Sequence, residues 1–182
     1  MPNNPKPKIA TVSLAGCFGC HMSLLDIDER ILKLVGLVEF DRSPIADTKE
    51  IGKCDVGIIE GGVANTENLH VLRQFRENCR ILVSLGDCAT TGGVPAMRNG
   101  FSLRECLEEA YLNGVTVVDG LIPNDEEIPA LLDKVYPVHE VVKVDYHLPG
   151  CPPSGDAIWE TLKAILEGKT ELDLQYELVK YD

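Results

Sequence analysis

Ile9-Ala-Thr-Val-Ser-Leu-Ala-Gly-Cys-Phe-Gly-Cys20 decides the fold. A run of strand length ends in a Gly-containing loop that carries two cysteines. The arrangement recurs: Arg80-Ile-Leu-Val-Ser-Leu-Gly86 leads to Cys88, and Val141-Val-Lys-Val-Asp-Tyr-His-Leu-Pro-Gly150 leads to Cys151. Largely apolar runs are the pattern of strands covered on both faces of a parallel sheet. Read as parallel strands, they deliver Cys17, Cys20, Cys88 and Cys151 to one edge of the sheet. Open α/β sheets build their ligand sites at that edge.

Helical patterns fill the intervals, as a parallel sheet requires. Ser23-Leu-Leu-Asp26 has capping-box spacing, with Asp for the usual Glu or Gln, and Leu24, Ile27, Ile31, Leu34 and Val35 follow it up to Gly36. Residues 37–40 and 55–59 read as the second and third strands, the latter ending in Glu60-Gly61-Gly62. A helix from near Thr66 should bury Leu69, Leu72 and Phe75. Ser102-Leu-Arg-Glu105 is a full capping box, with Leu103, Cys106, Leu107 and Ala110 inward. Ile128, Leu131, Leu132 and Val135 predict another helix, and Ile158, Trp159, Leu162, Ile165 and Leu166 a last one before Gly168. The expectation is one flavodoxin-like α/β domain over residues 1–182, with a mostly parallel sheet and helices on both faces. Residues 1–8 read as a polar, Pro-rich lead-in. Residues 170–182, an extended C-terminal tail alternating Leu172, Leu174, Tyr176 and Leu178, read as an edge strand or docking arm.

Bulk properties narrow the function. At 182 residues, roughly 70% of the unfolded surface is buried on folding, enough for a core without disulfide staples. A net charge of -12 opposes binding to nucleic acid or anionic membranes. No run reaches the ~18 apolar residues of a membrane span, and no signal core or twin arginine opens the chain, so the cytoplasm is the expected compartment. There, seven cysteines point to metal or redox chemistry ahead of structural disulfides.

The strand map sorts those cysteines. Cys54 and Cys79 precede strands and belong at the opposite edge; Cys106 lies on a helix face, where a free thiol packs as a small apolar group. For the other four, flanking Gly16, Gly19, Gly86 and Gly150 let backbone N–H groups approach sulfur, and Pro152 follows the last cysteine, as in bacterial ferredoxins. An iron–sulfur cluster suits this set. Structural zinc is a rival, although zinc ribbons usually pair two Cys-x-x-Cys knuckles and only one is present. Thiol–disulfide exchange would use Cys17 and Cys20 and leave Cys88 and Cys151 without a role. Flavin binding would need a phosphate loop where the thiols stand. No G-x-G-x-x-G follows a strand and no Walker loop occurs, which opposes nucleotide binding.

Three blocks carry a resemblance: Ala15-Gly-Cys-Phe-Gly-Cys-His-Met-Ser-Leu-Leu-Asp26, Gly86-Asp-Cys-Ala-Thr-Thr-Gly-Gly-Val-Pro95 and Leu148-Pro-Gly-Cys-Pro-Pro153. In this order they resemble the small subunit of nickel–iron hydrogenases, most closely the cytoplasmic NAD-reducing type, over essentially the whole chain. The resemblance implies one proximal [4Fe–4S] cluster on Cys17, Cys20, Cys88 and Cys151. It implies a large-subunit partner holding the nickel–iron centre, and diaphorase partners holding further clusters, flavin and the NAD site. Electrons would pass between them through this chain. The related quinone-reductase subunit has adjacent cysteines where this sequence has Cys17-x-x-Cys20. A cluster subunit of that or another hydrogenase-like module, without hydrogen chemistry, stays the alternative, and a stand-alone thiol oxidoreductase is a third reading.

Other residues carry two readings each. Glu60, at a strand exit, is a candidate for proton transfer or for the large-subunit interface, and equally a solvated or loop-capping carboxylate. His21 could meet a cluster sulfur or the partner, but an ordinary helix-start contact is the plainer reading; His147, near Cys151, is similarly placed. Thr90 and Thr91 are turn-formers or cluster neighbours. Trp159 falls on a core stripe, and His70 and His139 suggest no role.

Overall fold

A computed structural model describes residues 5–48 and 50–169. Its strands are β1 (Lys8–Ser13), β2 (Glu39–Phe40), β3 (Cys54–Glu60), β4 (Val63–Asn65), β5 (Cys79–Leu85), β6 (Leu131–Tyr136) and β7 (Tyr146–Leu148). Its α-helices are α1 (Gly19–Leu25), α2 (Arg30–Leu37), α3 (Thr66–Asn78), α4 (Asp87–Thr91), α5 (Leu103–Tyr111) and α6 (Gly155–Leu166). Five strands pair in parallel in the order β2-β1-β3-β5-β7. Ranked along the chain, that is 2-1-3-4-5, the flavodoxin-like order, and it reverses between β1 and β3. The expected fold class is therefore the observed one.

Each face of the sheet has its own core. Helices α1, α2 and α6 bury Leu24, Leu34, Ile158 and Leu162 against Ile9, Val56, Ile58 and Val83. On the other face, Leu72 and Phe75 of α3 pack on Ala10, Val12, Ile59 and Leu82. Leu72 and Phe75 are fully buried, each contributing about 2–3 kcal/mol of transfer free energy. Leu69, expected beside them, is only half-buried. The α3 helix starts where Asn65 accepts the Asn68 N–H, and α5 starts on the capping box read from Ser102 and Glu105.

Several elements depart from the sequence reading. Helix α1 begins at Gly19, four residues before the expected cap, because Phe18 turns the chain with φ 66. Ser23 lies within α1 and donates to the Pro153 carbonyl instead of capping. Gly36 does not stop α2, which runs to Leu37 and leaves only Glu39–Phe40 to pair with β1. Residues 128–135 contain a strand where a helix was expected. β6 pairs antiparallel with β4, and Arg98 and Asn99 bond its Leu132 and Val135 backbone groups at 2.8 Å. The period at Ile128, Leu131, Leu132 and Val135 fits a helix, yet only Val135 is buried, so no apolar face exists to dock one. The last sheet strand is just Tyr146–Leu148, preceded by a 3-10 turn at Val138–Glu140. α5 buries none of its residues: Leu103, Cys106 and Leu107 are half-covered and Ala110 is exposed. The expectation for residues 170–182 lies outside the described residues, as do residues 1–4 of the lead-in.

Candidate metal centre

Backbone pairing at the strand exits sets the thiol loops. After β1, Leu14 N–H donates to Glu60 O at 2.8 Å, and Ala15 and Gly62 exchange bonds of 3.0 and 2.8 Å. This clamps the start of the Cys17 loop to the exit of β3. Gly61 makes the clamp possible: its φ is +86, and a Cβ there would stand 2.8 Å from the Leu14 carbonyl carbon. Cys20 then falls on the second residue of α1, half-buried, with Cys17 exposed in the turn before it.

Cys88 and Cys151 are brought together by a second clamp. Gly86 N–H donates to Leu148 O at 2.7 Å, Asp87 N–H to Gly150 O at 3.0 Å, and Gly150 N–H to the Asp87 carboxylate at 2.7 Å. The Ser23 hydroxyl ties α1 to the same loop through Pro153. Asp87 and Ser23 thus order the site, and the sequence reading assigned neither that role. The one available signal was the polar Asp87 beside Cys88 at a strand exit.

The four thiols share one electrostatic neighbourhood. Burial, then the Glu60 carboxylate, then Cys88, Cys17 and Cys151 push the Cys20 thiol up to about 12. Burial and Cys151 also raise Cys88, against a bond from the Val94 N–H. Thiolates here oppose one another, and a cationic metal centre removes that penalty by binding them deprotonated.

Glycines keep the space around the sulfurs open. A Cβ on Gly86 would collide with Cys20 Sγ, and on Gly93 or Gly19 would stand 3.0 or 3.2 Å from Cys88 or Cys17 Sγ. Among the described residues no three His, Cys, Asp or Glu side chains are spaced for one metal ion. A tetrahedral zinc shell needs its sulfurs within about 4 Å of one another, given a Zn–S bond of about 2.3 Å. Four interacting thiols on Gly-containing loops suit a cluster, where each sulfur binds a different iron. The donor set fits the implied group.

Beside Cys20 lies a buried polar chain that the sequence reading did not assemble. Glu60 is 2% exposed and His21 1%. The Glu60 carboxylate accepts from the Ser13 hydroxyl at 3.1 Å and the His21 main chain at 2.6 Å, and stands 2.7 Å from His21 Nδ1. His21 Nε2 is 2.9 Å from the Thr11 hydroxyl, which is 2.8 Å from Ser43 Oγ. His21 thus makes its contacts within the chain, from the first turn of α1, and is shut from solvent. Glu60 is not solvated: it accepts the His21 main-chain N–H in the first turn of α1.

The remaining expectations resolve more simply. Thr90 and Thr91 donate to Gly86 O and Asp87 O, bonds internal to the turn. His147 Nδ1 bonds Ser84 at 2.8 Å, and burial, then His139, holds its ring below the usual histidine range. Trp159 is half-buried against the core beneath Arg30. Cys106 is half-buried, not a core residue. Cys54 and Cys79 lie at the opposite edge, as the strand map predicts, although that map does not pair them. They are joined as a disulfide, because the parallel register of β3 and β5 sets them side by side.

The chain matches the family described as NADH ubiquinone oxidoreductase, 20 Kd subunit, over residues 17–165. It is 50% identical over 181 residues to the NAD-reducing hydrogenase HoxS subunit delta of Cupriavidus necator, covering 97% of this chain and 86% of that one. It is 42% identical to one subunit of the F420-non-reducing hydrogenase of Methanothermobacter marburgensis, covering 93% of this chain and only 56% of that one. Among solved structures, an NAD+-reducing [NiFe]-hydrogenase in the H2-reduced state superposes with a TM-score of 0.94 at 49% identity, over 97% of this chain and 99% of that one. A Ni-Fe-Se hydrogenase from Desulfomicrobium baculatum, at 18% identity and TM-score 0.55 over 87% and 61%, shares the fold.

Proposed function

We propose that this chain, which belongs to the NADH ubiquinone oxidoreductase 20 kDa subunit family, is the electron-relaying small subunit of an NAD-reducing nickel–iron hydrogenase. Its membership of a hydrogenase complex rests on half-identity to one such subunit and on close superposition on another. The observation that carries the relay is the meeting of Cys17, Cys20, Cys88 and Cys151 at one sheet edge, in mutual electrostatic contact.

A [4Fe–4S] cluster on those four residues supplies one-electron transfer when bound. The chain's own groups prepare the place. The Ala15–Gly62 and Asp87–Gly150 clamps fix the loops, and the glycines admit the bulk of the group. Glu60 holds the first turn of α1 by its His21 N–H, which makes it a positioning residue. The large subunit, with its nickel–iron centre, would meet the rim where Cys17 and Cys151 are exposed. Val94, Met97 and Phe101, each at least 66% exposed, follow the Cys88 turn and offer apolar contact. Diaphorase subunits carrying flavin, further clusters and the NAD site would take the electrons onward. No helix among the described residues is long and apolar enough to cross a membrane. The likeness to an NAD-reducing hydrogenase subunit supports the cytoplasm as the proposed compartment.

The test is iron and acid-labile sulfide in the complex purified without oxygen. Cys→Ser at Cys17, Cys20, Cys88 or Cys151 should cut the small subunit's iron by most of its value and abolish hydrogen-dependent NAD reduction. Cys54→Ser, Cys79→Ser and Cys106→Ser should keep the iron. Full iron after Cys88→Ser, or zinc in place of iron, overturns the proposal. The family description also covers quinone reductases. A partner large subunit without two Cys-x-x-Cys pairs for nickel would shift the reading to that alternative.

A further inference from the structure

The cavity between the starts of β3 and β5 lies at the end of the sheet away from the metal-centre thiols. β3 has seven residues, which puts about 20 Å of strand between its ends. Cys54 and Cys79 are register partners with Cα atoms 4.7 Å apart, inside the disulfide range of about 4.4–6.8 Å. Ladder hydrogen bonds hold both backbones, so closing or opening a bond between the sulfurs asks for no backbone movement. Gly57 reserves their space: a Cβ there would lie 2.7 Å from Cys79 Sγ and 2.9 Å from Leu82 Cδ1. Both cysteines line an open cavity of about 340 Å³ whose rim carries Lys53, Asp55, Glu77 and Arg80. The two residues are only 7% and 4% exposed and lie within that cavity, so a reagent must be small enough to enter it to reach them.

We propose that Cys54 and Cys79 are a reversible oxidation site, closed to a disulfide by hydrogen peroxide and reopened to two thiols by a small dithiol. Cys54, the more exposed, attacks peroxide oxygen as its thiolate. The O–O bond breaks, and a sulfenic acid and one water form. The Cys79 thiol then attacks the sulfenic sulfur, the S–S bond forms and a second water leaves. Two thiols have lost two electrons and two protons, and one peroxide has become two waters. A dithiol returns both by exchange through a mixed disulfide. The bond closes the loop that contains α3, so oxidation staples that crossover to the sheet and stabilises the fold. The site needs no metal and does not depend on the function proposed above.

The intact complex, purified without oxygen, is treated with peroxide, then denatured in N-ethylmaleimide and mapped by peptide mass spectrometry. A linked Cys54–Cys79 peptide should appear with peroxide and vanish after native treatment with dithiothreitol, while Cys106 is alkylated throughout. Oxidation should raise the thermal midpoint by about 5 °C or more in the parent and not in Cys79→Ser. Alkylation of both cysteines after peroxide overturns the site. A link that dithiothreitol opens only after unfolding overturns its reversibility. An equal rise in Cys79→Ser overturns the staple. Peptide mapping of the parent decides the first two even where the variant fails to fold.

Discussion

At one edge of the central sheet Cys17, Cys20, Cys88 and Cys151 stand in loops and helix starts, near enough to repel and too far apart to bond. At the other edge Cys54 and Cys79 stand inside strands, in register and joined. The residue type is the same, so the difference comes from what carries it. Strand backbones fix neighbouring sulfurs a bond length apart. Glycine-lined turns hold sulfurs around a space, and that space suits a third body. Position on a parallel ladder thus decides whether cysteines meet each other or face a common space.

Glycine substitutions at the two edges give the largest contrast. Gly86→Ala forces a side chain onto Cys20 Sγ at φ +82, and should destabilise the chain by about 2–3 kcal/mol and lower its iron content. Gly57→Ala crowds Cys79 and Leu82 and should cost about 1–3 kcal/mol without loss of iron. Iron analysis beside urea denaturation separates them; equal iron loss in both would erase the distinction between the edges.

His21→Ala sharpens the contrast from the metal-centre side. It leaves the buried Glu60 and Thr11 oxygens without their shared partner, at a cost of about 2–3 kcal/mol. Because Glu60 still bonds the main chain of residue 21, iron content should fall less than in Gly86→Ala. Complete loss of iron would mean that the ring, and not the backbone contact, holds the Cys17–Cys20 turn.

The smallest effect belongs to Asp145, between the edges. Burial draws its carboxyl upward. Arg76 at 2.7 Å and the Leu82 N–H at 2.8 Å outweigh that and leave it below the usual carboxylate value. A depressed folded value adds stability that is present above the unfolded value, near pH 4, and lost as pH falls through the folded one. Asp145→Asn should cost about 1 kcal/mol at pH 7, since the pair is part-exposed. The gap to the parent should close in urea melts near pH 2–3; a constant gap would deny the carboxylate's charge any role.

What the sequence disclosed follows the same division. Apolar runs before Cys17, Cys88 and Cys151 announced buried parallel strands, and Ser102 with Glu105 announced a helix start, because both signals are local. Residues 128–135 misled, since apolar residues at that spacing suit a helix or a half-covered strand and only the pairing with β4 decides. Nothing local joined Cys54 to Cys79 or Glu60 to His21, which lie 25 and 39 positions apart. Those contacts exist only once strands are laid in register.

Cys17 and Cys151 are exposed, so whatever they hold lies at the skin of the subunit, unroofed by its own described residues. A neighbour closing over that rim would dry it, and solvent access tunes the reduction potential of such centres. On the function proposed above, the driving force for electron flow would then be a property two polypeptides write together, with only half of the setting in this one.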